Sequence, residues 1–172
     1  MKKIPLNRNT ILPLFGGALC ILLSSCTQSR VSRFHQLPPT GAGQTFSVFS
    51  ARDNSSLEFR NYAAQVAEHL TEYGWRPIQG GEKDDYKVGI HYWMGGDRVH
   101  LSGNANYVSS STEHDRFLVM MIWDKNKNQV FEGRVRSAGR SSDYAAVMPQ
   151  MIDAMFAGFP GKSGKSSRDT RF

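Results

Sequence analysis

The chain has 172 residues, 40% hydrophobic and 21% charged, which is the composition of one globular domain. Three of its 21 basic residues, Lys2, Lys3 and Arg8, lie in the first 25, which hold no acid; without them 18 basic and 15 acidic residues leave a charge of +3. So mild an excess, with no stripe of Lys and Arg among stacking aromatics, argues against a nucleic-acid binder.

The chain opens on MKKIPLNR, followed by the apolar run ILPLFGGALCILL (Ile11–Leu23). A bilayer span needs about 20 apolar residues, and Pro13, Gly16 and Gly17 make this run a poor permanent helix. A short apolar run behind a basic start is the pattern of a secretory signal peptide, here residues 1–25. Leu23, Ser24, Ser25 and Cys26 resemble the lipobox of bacterial lipoproteins, with Ser where Gly or Ala is commoner before the cysteine. The resemblance implies cleavage between Ser25 and Cys26 and a diacylglycerol thioether on Cys26. Acyl chains then anchor the protein at about 0.8 kcal/mol per buried methylene. Cys20 falls inside the leader, so the mature chain keeps no thiol for a disulfide, a metal cluster or a nucleophile. Thr27 stands where Asp retains enterobacterial lipoproteins at the inner membrane, which implies the periplasmic face of the outer membrane.

Residues 26–44 lack periodicity and contain Pro38, Pro39, Gly41 and Gly43, so they read as a lipidated cysteine and a flexible tether, with Arg30 and Arg33 as solvated charges. TFSVFSA is the first strand, alternating except at Phe49. Ser55 and Glu58 then have the spacing of a capping box. A helix follows, with Phe59, Tyr62, Ala63, Val66, Ala67, Leu70 and Tyr73 on one stripe and Gly74 as its stop. WRPIQ is a short edge strand because Pro77 lacks a ladder donor. YKVGIHYWM puts Tyr86, Val88, Ile90, Tyr92 and Met94 on one face and Lys87, Gly89, His91 and Trp93 on the other. The polar stretch 95–115 holds at most a short strand near 98–102 or 105–109. RFLVMMIWD is apolar on both faces, as a central strand is. It turns at KNKN into QVFEGRVRSA, a hairpin. A last helix spans about Asp143 to Ala157, with Pro149 kinking it or starting a new turn. Residues 161–172 form a basic tail read as disordered. The expected fold is α/β (α+β): a two-layer sandwich over residues 45–160, with a mixed, mostly antiparallel sheet and two helices on one face.

No residue stands out as catalytic. Gly164-Lys165-Ser166 lacks the phosphate-loop glycine five positions earlier, where Phe159 stands. His35, His69, His91, His100 and His114 form no HxH or HExxH pair, so no metal or cofactor is assigned. Asp84 and Asp85 are sequence neighbours in a loop and read as turn chemistry. The serines of SSST have no GxSxG elbow. Of Trp75, Trp93 and Trp123, core packing is the ordinary role; an open-faced Trp93 marks a binding surface.

With these elements placed, three stretches resemble the domain-of-unknown-function 4136 family of bacterial lipoproteins. They are DYKVGIHYW, the hairpin FLVMMIWDKNKNQVFEGRV with Asp124, Phe131 and Gly133, and the closing MPQMIDAMFAGFPGKSG with Phe159, Pro160 and Gly161. The serine-rich 102–112 segment departs from that pattern. The family implies an envelope lipoprotein with an α/β domain and implies no activity, cofactor or catalytic residue. The resulting expectation is a lipid-anchored, non-catalytic binding or structural module whose partner is an envelope protein, peptidoglycan or lipid. A lipid-transfer or transport accessory and an envelope hydrolase are the alternatives.

Overall fold

A computed structural model of the chain describes residues 28–41, 43–50, 56–104 and 106–162, and the backbone of 170–171. Its elements are β1 (Gln28–His35), β2 (Thr45–Ser50), α1 (Leu57–Glu72), β3 (Arg76–Pro77), β4 (Tyr86–Asn104), β5 (Tyr107–Asp124), β6 (Gln129–Gly139), α2 (Tyr144–Phe156) and β7 (Thr170–Arg171). The strands form one sheet in the order β3-β2-β4-β5-β6-β1-β7. β2 runs parallel to β3 and β4, and the other pairings are antiparallel. Parallel neighbours need a crossover, and α1 supplies it. The mixed sheet with two helices is the expected α+β fold.

α1 begins where the Ser56 hydroxyl accepts from the Phe59 N–H at 3.0 Å, one residue later than the capping-box spacing suggests. Glu58 instead accepts from the Tyr62 hydroxyl at 2.9 Å. Gly74 ends the helix at a φ of +105°, where glycine has no steric cost. α2 is capped by Asp143, and Pro149 lies inside it. The β5–β6 turn is fixed by the Asp124 carboxylate, which accepts from the N–H groups of Asn126 and Asn128 and from the Asn128 amide.

The core lies between the helices and one face of the sheet. Phe46, Val88, Ile90, Leu118, Met120, Ile122, Phe131 and Val135 meet Phe59, Tyr62, Val66 and Leu70 of α1 and Met148, Met151, Ile152 and Met155 of α2, all buried. Gly133 explains the Phe-x-Gly pattern: a Cβ there would collide with the Met155 sulfur and the Phe131 ring. Phe159 closes the core edge against Tyr73, Phe131 and Phe156 at centroid distances of 5.0, 5.1 and 5.0 Å. Trp75 is buried and stacks on Tyr86 at 4.3 Å.

Three expectations are corrected. The stretch read as a tether, 26–44, belongs to the domain from Gln28 on. β1 pairs with β6 along its whole length, Leu37 is buried, and Gly41 closes on the Trp75 ring. The inward positions of β1 are Ser29, Val31, Arg33 and His35, too polar to show alternation. Arg33, read as solvated, is 7% exposed. Its guanidinium donates to the carbonyls of Ala154, Met155 and Ala157 at 2.7–3.1 Å, satisfying the open end of α2. Second, the polar 95–115 stretch is not loop-rich: β4 and β5 pair through it to Asn104↔Tyr107, with one register shift between Met94 and Asp97. Third, the tail read as disordered returns at Thr170–Arg171 to pair with Gln28 and Ser29. The leader, Ser25, Cys26, Thr27, Ser55 and Gly164-Lys165-Ser166 lie outside the described residues.

Candidate functional site

Strand geometry sends alternate residues to the face that the helices leave open. On that face β4 presents Lys87, Gly89, His91 and Trp93, and β5 presents Phe117, Val119, Met121 and Trp123, placed by the register Gly89↔Met121 and Trp93↔Phe117. β2 adds Ser47 and Phe49, the latter opposite Gly89. β6 and β1 add Glu132, Arg134, Arg136, Arg30 and Ser32. Trp93, the sequence-predicted surface residue, is 37% exposed here.

Two clusters of contacting aromatic rings occupy this face, and Phe34 of β1 lies on it as well, 51% exposed. His91 and Trp93 stack at 5.1 Å, Trp93 and Phe117 stack at 5.2 Å with planes 13° apart, and the Arg136 guanidinium carbon sits 5.9 Å from the Phe117 centroid. Gly95 makes room, since a Cβ there would lie 2.7 Å from the Phe117 ring. The second group is Phe49 and Trp123, 5.7 Å apart and tilted by 39°. They meet over Gly89, whose added Cβ would lie 2.9 Å from Trp123 and 3.1 Å from Phe49. The rings are the apolar wall of a cavity of about 410 Å³ whose rim carries Lys83, Lys87, Lys125 and Lys127. That volume lies within the range of small-ligand sites.

Three carboxylates share the rim, and each is engaged in holding the loops. Asp84 accepts from the Ser47 hydroxyl at 2.5 Å. Asp85 accepts from the Thr45 N–H and hydroxyl, both at 3.0 Å, and these bonds hold its carboxyl below the usual carboxylate value. Asp124 is held down by the Asn128 amide and the turn N–H groups. The four lysine ammoniums have no ion-pair partner among the described residues. A second hollow, of about 270 Å³, lies between Arg30, Arg98, Glu113 and Arg136. Asp115 accepts there from Arg98 at 2.7 Å and Arg136 at 2.8 Å. Burial works against its charge, but the two guanidinium bonds outweigh burial and keep its carboxyl below the usual value.

Asp84 and Asp85 therefore bond to β2, in keeping with their loop reading. His69 bonds to Glu72 and Asp153, His100 to Glu113, His114 to Asp97, and His35 to the Gly161 carbonyl. Among the described residues no three His, Cys, Asp or Glu side chains converge as a metal site. Phe49 and Trp123 were not legible as a pair, because the parallel β2–β4 ladder brings them together across 74 positions. Phe49 did carry one signal: it breaks the alternation of its strand, which places it on the face opposite Phe46 and Val48.

No curated protein matches the chain. Among solved structures it is similar to a PDZ domain protein from Parabacteroides distasonis, with a TM-score of 0.51 and 11% identity over 83% of this chain. The chain spans 38% of that protein, and at this identity the likeness is one of fold. It is also similar to PelC from Paraburkholderia phytofirmans, solved as a dodecamer in two crystal forms, with TM-scores of 0.46 and 0.44, 10% identity in both, and coverage of 80% of this chain and 99% of PelC. The family model described as a domain of unknown function, DUF4136, matches residues 30–161, and the chain belongs to that family.

Proposed function

We propose that this protein is a lipid-anchored, non-catalytic module of the bacterial envelope that binds peptidoglycan through the open face of its sheet. The observation that carries the reading is the cavity walled by Phe49 and Trp123, whose rim carries Lys83, Lys87, Lys125 and Lys127. Sugar rings turn C–H faces to aromatic rings, and stem peptides offer carboxylates to ammonium groups. A small concave site with few cations suits such a repeating polymer better than a flat protein partner. The lipobox at Cys26 supports anchoring, and Thr27 supports the periplasmic face of the outer membrane. The space between helices and sheet is filled by Met120, Met148, Met151 and Met155, which gives the lipid-transport alternative no support.

Purified mature protein in detergent, mixed with isolated sacculi, is expected to co-sediment. Trp123→Ala and the double variant Lys83→Glu/Lys125→Glu are expected to stay in the supernatant. Equal pelleting of all three contradicts peptidoglycan binding at this site. Fatty-acid labelling lost in Cys26→Ser supports the anchor, and equal labelling overturns it.

A further inference from the structure

β2 pairs with β4 only at Tyr86–Ile90, and β6 pairs with β5 only as far as His114. Beyond that point, among the described residues, the two strands have each other alone: Arg98–Asn104 against Tyr107–Glu113. This ribbon is an arm about 23 Å long at 3.3 Å per residue. An isolated two-stranded ribbon is marginal in water without a surface to cover one side. The register shift between Met94 and Asp97, followed by Val99↔Thr112, Leu101↔Ser110 and Gly103↔Val108, places Val99, Leu101 and Val108 on one side of the arm. They are 63%, 73% and 70% exposed. Tyr107, also exposed, stands beside the turn. From Leu101 to Thr112 there is no charged residue, and Asp97, Arg98, Glu113 and His114 mark the root.

The direction of the arm supplies the occupant. Gln28 pairs with Ala138, and the next residue, Gly139, pairs with His114. β1 and β5 are both antiparallel to β6. The N-terminal end of β1 at Gln28 and the arm that precedes His114 therefore lie at the same end of the sheet. Cys26 precedes Gln28 by two residues, which span at most about 7 Å. An acyl anchor on Cys26 holds this end of the sheet close to the bilayer, within reach of an arm several times longer.

We infer that the β4–β5 arm is a second membrane contact, lying in the bilayer interface with Val99, Leu101 and Val108 turned toward the acyl chains and Tyr107 at headgroup level. The inference rests on the lipid anchor at Cys26 and is independent of peptidoglycan binding. The arm lies along the interface and does not cross. A spanning strand needs about 9–11 residues, and the unpaired outer N–H and C=O groups need water or headgroups. Tyrosine and uncharged polar residues suit that zone.

In the lipidated protein the Cys26 sulfur is blocked, so Leu101→Cys supplies a single free thiol for an environment-sensitive fluorophore. Asn126→Cys, in the turn at the opposite end of β5, is the control. Both positions are exposed, so neither substitution threatens the core. The protein is reconstituted into vesicles of phosphatidylethanolamine and phosphatidylglycerol with brominated acyl chains, and lipidation is verified by mass. Loss of emission at position 101 and none at 126 supports the inference. Lipidated protein that floats with the vesicles but keeps full emission at 101 overturns it and leaves the anchor standing. Energy transfer between labelled copies without bromine quenching overturns it in favour of a second copy on the arm. Absence of lipid on Cys26 removes the anchor and this inference with it.

Discussion

The two faces of the sheet are built from the same strands and have opposite fates. On one, Val88, Ile90, Leu118, Met120 and Ile122 disappear under α1 and α2. On the other, Val119, Met121, Phe117 and Trp123 of the same β5 strand stay half-buried on the side away from α1 and α2. A strand apolar on both sides ordinarily has a layer on each side. In a two-layer fold the second side is left to shield itself, which the ring stacks do in part, or to be covered by something else. The contrast separates residues that hold the fold from residues available for recognition.

The largest effects are expected on the covered face. Ile122→Ala removes a fully buried side chain between helix and sheet and is expected to cost about 2–5 kcal/mol in chemical denaturation. Val119 of the same strand, half-buried on the open face and changed to Ala, is expected to cost about 1 kcal/mol, two carbons partly removed from water at about 0.8 kcal/mol each. Equal costs would mean that the open face is structural, and the contrast would fail. Two buried arginines on the covered side sharpen it. Arg33→Met leaves the last carbonyls of α2 without donors, and is expected to destabilise by about 1–3 kcal/mol. Arg116 is fully buried with a bond from Nη1 to the Ser141 carbonyl at 2.7 Å, while Nε and Nη2 find no partner among the described residues. Burial lowers its pKa. Arg116→Met is therefore expected to leave stability unchanged or raise it.

The smallest effect concerns the cavity rim. Asp85 has a folded pKa below its ordinary 3.8 because Thr45 donates to the carboxylate. A depressed folded value adds stability that is present above pH 3.8 and is lost as the pH falls through the folded pKa. Asp85→Asn should flatten the stability curve in that acid window by a fraction of a kcal/mol, since the partly exposed carboxylate is screened by solvent. An unchanged curve would show that the Thr45 bonds do not hold the loop.

The covered face was largely legible, because hydrophobic periodicity reports burial against a single neighbour. The i, i+3, i+4 stripe from Phe59 to Tyr73 is α1, and the hairpin around Asp124 lies where the turn residues place it. β1 was not legible, because its inward Arg33 is satisfied by carbonyls 121–124 positions away. The arm was not legible either: its serines carry no alternation, and its pairing is set by propagation from Tyr86↔Asp124. Trp93 was the one open-face residue visible as a candidate. Its stacking partner Phe117 and the Phe49–Trp123 pair depend on register across strands, which no local pattern encodes.

Peptidoglycan binding on the open face is reported directly by the tryptophans. Trp93 and Trp123 stand on that face, whereas Trp75 is 2% exposed in the core. Titration of the protein with soluble peptidoglycan fragments should give a saturable change in tryptophan emission that disappears in Lys83→Glu/Lys125→Glu. No change on titration, or an undiminished change in that double variant, would contradict the account.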